Sequence, residues 1–150
     1  MDLILWRHAE AEDTTPDMER KLTGRGRKQA SRMADWLNPR LPPDIRVLAS
    51  PAARTRQTAQ ALGREYELVP ELGPGASAAD LLRVASWPDS AYPVLIVGHQ
   101  PTLGAVASFL LSGEESYWSV RKGAVWWLSN RAKEGGAAVV LKVVQSPDFV

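Results

Sequence analysis

Leu3-Ile4-Leu5-Trp6-Arg7-His8 and Val94-Leu95-Ile96-Val97-Gly98-His99 decide the fold of this chain. Each is a short apolar run that closes on a histidine, and these are the only two histidines among 150 residues. Apolar runs of this length are expected for strands buried on both faces, as in a parallel sheet covered by helices. In an open α/β sheet, ligands collect beyond the carboxyl ends of the strands. Two segments distant in sequence therefore bring an imidazole each to the same rim, and that rim is the expected active site.

The rest of the chain alternates to match. Strands are expected over residues 2–6, 45–49 and 93–97, with a weaker one at 67–69. Ala30, Met33, Ala34 and Leu37 recur at helical spacing, as do Leu103, Val106, Ala107, Leu110 and Leu111, so both segments should lay an apolar stripe on the sheet. Residues 53–64 and 78–86 are further helix candidates. Residues 124–128 and 138–144 read as β-rich segments flanking Gly135 and Gly136, a hairpin on the sheet edge. Pro39, Pro42 and Pro43 mark a loop. The expected architecture is a three-layer αβα sandwich, its central sheet mostly parallel with an antiparallel edge, formed by one domain over residues 1–150.

Composition removes several function classes. With 45% hydrophobic and 23% charged residues and a net charge of +1, the chain is neither disordered nor a polybasic nucleic-acid binder. No apolar run approaches the roughly 20 residues that span a bilayer, and no signal-peptide pattern is visible, so a cytoplasmic protein without a membrane partner is expected. The absence of cysteine excludes thiolate catalysis and cysteine-bound zinc, and two histidines make poor material for a transition-metal site. No cofactor or metal is expected. The P-loop pattern is missing, and Gly24-Arg25-Gly26 lacks a third glycine because residue 29 is Gln.

Phosphate chemistry enters through the arginines. Arg7 directly precedes His8, and Arg54 follows the second strand in Ser50-Pro51-Ala52-Ala53-Arg54-Thr55-Arg56-Gln57-Thr58. A guanidinium presents a fork of donors to phosphate oxygens and stays charged, so arginines beside an imidazole form an oxyanion cradle. The same charges disfavour the imidazolium and keep His8 in the neutral form that attacks phosphorus. Taken singly, each feature has a plainer explanation. A lone strand-end histidine is commonly a hydrogen-bonded structural residue, and arginines at a helix start are commonly solvated. Only their conjunction points to catalysis.

These residues resemble the histidine phosphatases with the phosphoglycerate-mutase-like fold. Leu3 through Glu10 is similar to that family's opening strand and R-H-G motif. Lys21 through Ala30 resembles its L-T-x-x-G-x-x-Q-A stretch, and Ser50 through Thr58 its S-P-x-x-R-x-x-Q-T stretch. Val97-Gly98-His99 matches its second histidine. The resemblance implies that His8 becomes phosphorylated while Arg7, Arg54 and His99 hold the phosphoryl group, with Arg20 as a further phosphate contact.

Departures from the family pattern bear on the substrate. Ala9 replaces the family glycine, and 150 residues leave no room for the cap insertion that supplies a general acid in larger members. Gln100 stands where the acid phosphatases of this family place Asp. Glu10 and Glu71 are the remaining acid candidates, although a strand continued through Glu10 would point its side chain away from that of His8. Without an acid, a phosphate monoester loses about 10²- to 10⁴-fold in rate, whereas imidazole leaves more easily. The short, cap-free build resembles the SixA-type phosphohistidine phosphatases, which implies a phosphohistidine-bearing protein as partner. A small-molecule phosphomonoesterase and a non-catalytic phosphoprotein-binding module are the alternatives.

Overall fold

The central strands are buried on both faces, and successive side chains turn alternately to two helical layers. The computed structural model describes residues 1–133 and 136–150. Its sheet has the order β3-β2-β4-β1-β5-β6, formed by β1 (Asp2–Arg7), β2 (Arg46–Ala49), β3 (Glu67–Leu68), β4 (Val94–Gly98), β5 (Val125–Lys133) and β6 (Gly136–Gln145). Strands β1 to β4 pair in parallel, while β5 and β6 add an antiparallel edge beside β1. Ile4, Trp6, Val47, Ala49, Leu95 and Val97 meet Met33, Ala34, Leu37 and Ala59 on one face. Helices α1 (Gly24–Leu37) and α2 (Ala53–Gln60) carry those partners. Leu3, Leu5, Leu48, Val94 and Ile96 turn to the other face, against α3 (Ala78–Val84) and α4 (Thr102–Ser112). This is the expected three-layer sandwich.

Helix ends differ from the expected bounds for local reasons. Residues 61–64 leave the helix, and Gly63 takes φ +67°, a left-handed conformation that glycine adopts without a Cβ clash. Helix α3 stops at Val84, and Ser86 follows at φ +53°. At the edge, β5 extends past residue 128 to Lys133. Trp127 pairs with Val143 but Leu128 with Leu141, so Lys142 is the extra residue of a bulge. The turn expected around Gly135 falls partly on residues outside those described. Trp6 and Trp127 are buried, and Trp118 packs on Trp126 at 6.1 Å, so these aromatics serve the interior. No helix among the described residues is long and apolar enough to cross a membrane.

Two glycines let loops close onto the helices that frame the sheet's carboxyl edge. A Cβ on Gly26 would overlap the Glu10 carbonyl, and one on Gly104 would overlap that of Trp118. Backbone cannot retreat as a side-chain tip can. Gly26→Ala and Gly104→Ala should each cost about 1–3 kcal/mol through overpacking, read as a lowered urea midpoint; a wild-type midpoint for both would contradict these contacts.

Candidate active site

Parallel pairing of β1 with β4 places Arg7 opposite Gly98, so the next residue of each strand is a histidine. The His8 amide donates to the Gly98 carbonyl at 3.2 Å, and the two imidazole centroids lie 5.4 Å apart at 58°. Both rings are buried. The chain leaves β1 toward α1 on one face and β4 toward α4 on the other, so the crevice between these strand ends is where the topology reverses. The carbonyl of Ala9 lies 2.8 Å from His8 Nδ1. A carbonyl can only accept, so Nδ1 carries the hydrogen in the neutral ring and the Nε2 lone pair is left free. His99 Nε2 lies 2.8 Å from Ser50 Oγ, which fixes that ring to the end of β2.

The arginines close around this pair. Arg7 donates through Nη1 to the Val120 carbonyl at 2.9 Å, while its Nε is buried and has no partner among the described residues. Arg54 is only 4% exposed despite standing in the first turn of α2, so the solvated alternative is wrong for it and right for its exposed neighbour Arg56. Its Nη1 and Nη2 donate to the main-chain carbonyl and carboxylate of Asp17, at 2.8 and 3.1 Å, and its Nε is likewise buried and unpaired. Arg20 joins through the same carboxylate at 3.4 Å and donates Nε to the Glu12 carbonyl. Buried donors without partners are costly, and two guanidinium Nε groups left so beside two imidazoles fit a bound oxyanion.

Most of the remaining motif residues hold loops in place. Gln29 accepts from the Glu10 amide, Gln57 from the Leu22 amide, and Thr58 from the Ala9 amide. Thr23 caps α1 by accepting from the Gly26 amide. These bonds pin residues 9–23 against α1 and α2, and the loop in turn carries Asp17 and Arg20.

Comparison with known proteins agrees with this geometry. Residues 3–76 match the family model of the histidine phosphatase superfamily (branch 1). Phosphohistidine phosphatase SixA of Escherichia coli is 31% identical over 125 residues, covering 76% of each chain. The chain belongs to the histidine phosphatase superfamily. Within it the chain falls in the SixA-type branch: the structure of the protein histidine phosphatase SixA complexed with tungstate superposes with a TM-score of 0.78 at 27% identity, covering 99% of both chains. A mycobacterial glucosyl-3-phosphoglycerate phosphatase shares the fold, with a TM-score of 0.71 at 19% identity over 95% of this chain and 97% of its own.

Electrostatics in this phosphatase follow from burial first and charge second. Burial is the largest cause that pushes His8 down to about 4, and Arg54, Arg7 and Arg20 push the same way against the Ala9 carbonyl. His99 falls to about 3, again chiefly by burial, then through His8 and Arg54. The neutral imidazole expected from neighbouring charge thus owes more to desolvation than to the arginines. Burial also lowers the Arg7 guanidinium from its ordinary value.

The carboxylates near the site are engaged elsewhere. Strand β1 ends at Arg7 and does not continue through Glu10, whose Oε2 accepts from the Thr23 hydroxyl at 2.7 Å. Glu71 lies exposed beyond edge strand β3, two strands removed from β1 by β2 and β4. Gln100 caps α4, accepting from the Gly104 amide while donating to the Trp118 carbonyl. Asp17 had no sequence signal, because its partners become neighbours only on folding. Ser50 was visible within the S-P-x-x-R stretch but not as the partner of His99.

The folded pKa values lie below the ordinary histidine value of 6.5. The unfolded chain therefore takes up protons first as pH falls, and stability is lost from about pH 6.5 down through 4 and 3. Ring signals of both histidines should stay in the neutral form from pH 8 to 5 by NMR, and denaturation at pH 5 should need less urea than at pH 7.5. A midpoint between 6 and 7 for either ring would contradict the burial described.

Proposed function

We propose that this phosphatase hydrolyses phosphohistidine on proteins through a phospho-His8 intermediate, without a metal. The observation that carries the reading is that two carboxylates beside the site are committed: Glu10 to Thr23, and Asp17 to Arg54 and Arg20, which hold its carboxyl below the usual range. A leaving alkoxide would need a proton from such an acid. A phosphohistidine ring does not, because its second nitrogen takes a proton from solvent and the ring departs as neutral imidazole.

In the first step His8 Nε2 bonds to phosphorus as the bond from phosphorus to the substrate nitrogen breaks. Water then attacks phospho-His8, releasing inorganic phosphate and restoring the ring. Arg7, Arg54, Arg20 and His99 hold the transferring group, whose charge is spread over three equatorial oxygens in the transition state.

The surroundings support a protein-borne substrate. Beside Arg7 opens a groove of about 310 Å³, lined by the basic Arg25, Arg121 and Lys122 and by the acidic Glu10 and Asp148, the last of which pairs with Arg121 at 3.7 Å. Arg25, Arg27 and Lys28 crowd the start of α1, where the helix dipole disfavours cations. That placement works against the helix and in favour of an anionic partner surface. The same groove is what favours the second reading, a small phosphomonoester whose other anionic group would sit there.

Phosphate release from a phosphohistidine-bearing transfer domain, an alkyl phosphate and p-nitrophenyl phosphate decides between them. The protein substrate should turn over about 10²- to 10⁴-fold faster than the alkyl ester, with His8→Ala inactive on all three. A faster alkyl ester would establish the second reading, and phosphate binding without any release would leave a binding module. Arg7→Ala and Arg54→Ala should each lower kcat/KM about 10²- to 10³-fold, the usual loss for an oxyanion donor; full activity in either variant removes that arginine from the site.

A further inference from the structure

Asp17 belongs to no motif, yet it makes more contacts to the phosphate-facing arginines than any other described residue. Its main-chain carbonyl accepts from Arg54 Nη1 and its Oδ2 from Nη2, while Oδ1 reaches Arg20 Nη1. Its side chain is 55% exposed, whereas that of Arg54 is 5% exposed. The bond to Arg20 joins two partly exposed side chains and adds little to stability, whereas that to Arg54 holds a buried guanidinium. The arrangement has a clear geometric consequence. Of the five N–H donors in a guanidinium, Asp17 takes two from Arg54, both on the terminal nitrogens. Nε and the other terminal hydrogens stay free, and the plane of the fork can no longer rotate.

We infer that Asp17 is a positioning residue for phosphoryl transfer: it locks Arg54 and Arg20 in the orientation that meets the equatorial oxygens, at the cost of a negative charge close to the incoming phosphate. The inference rests on the assignment of Arg54 and Arg20 to the phosphoryl group. Two opposed effects follow from one carboxylate. Repulsion weakens binding of the ground-state anion, while alignment favours the transition state, the combination that raises turnover rather than affinity. A residue that only braced the loop would lose both together.

The test compares Asp17→Ala and Asp17→Asn with the wild type, using p-nitrophenyl phosphate turnover and calorimetric binding of inorganic phosphate and of vanadate. In Asp17→Ala, kcat should fall about tenfold through misalignment, while phosphate binds several-fold more tightly and the preference for vanadate over phosphate shrinks. Asp17→Asn keeps an acceptor oxygen without the charge. It should therefore retain most of kcat while still binding phosphate more tightly.

Wild-type kcat and wild-type phosphate affinity in Asp17→Ala would overturn the inference. So would a loss of kcat accompanied by weaker phosphate binding and a lowered melting temperature, the signature of a structural brace. A wild-type protein that neither hydrolyses p-nitrophenyl phosphate nor binds phosphate would instead overturn the assignment of the site itself. These results do not depend on whether the natural substrate is phosphohistidine.

Discussion

The parallel register of β1 against β4 is the constraint on which the site depends. With Arg7 opposite Gly98, the two imidazoles emerge side by side from the carboxyl edge of the sheet. A slip of one residue would turn every side chain of a strand to the opposite face. That slip is opposed by the core, because Ile4 and Trp6 serve one helical layer while Leu3 and Leu5 serve the other. The spacing of the histidines is thus held by hydrophobic burial far larger than any single polar contact. Trp6 adds a hydrogen bond from its indole to the Gly123 carbonyl, tying β1 to the loop that precedes β5.

Around this pair the chain gathers three arginines from separate elements. Arg54 rides on α2, Arg7 ends β1, and Arg20 sits in the loop between them. Concentrating three guanidiniums beside two buried rings is unfavourable unless something negative enters, and burial removes the alternative of charging the histidines. Asp17 supplies part of the compensation in the free protein. The site therefore sets a neutral imidazole nitrogen beside fixed positive charge, the pairing that the proposed transfer of a charged phosphoryl group requires.

The lack of a cap gives the pocket its character. Loop 113–123 forms one wall in its place, held by Gln100 to the Trp118 carbonyl, by Arg7 to the Val120 carbonyl and by the Gly123 amide to the His8 carbonyl. Gln100 is thereby a structural brace where a relative with Asp could carry a proton. One residue thus closes the start of α4 and ties down the loop.

Much of this was legible beforehand. Apolar runs ending in His8 and His99, the helical stripes of α1 and α4, and the motif stretches around Leu22 and Ser50 are local patterns, because strand and helix periodicity repeat every few residues. They determined the layered α/β class, the strand ends and the residues expected to converge there. What only the tertiary structure decided lies between segments far apart in the chain: the engagement of Arg54 with Asp17, of His99 with Ser50, and of Glu10 with Thr23. The strength of desolvation around each histidine was also hidden, since burial is a property of all the surrounding atoms rather than of neighbours in sequence. Side-chain pairing and dielectric environment arise only when the layers close, and periodicity carries no information about either.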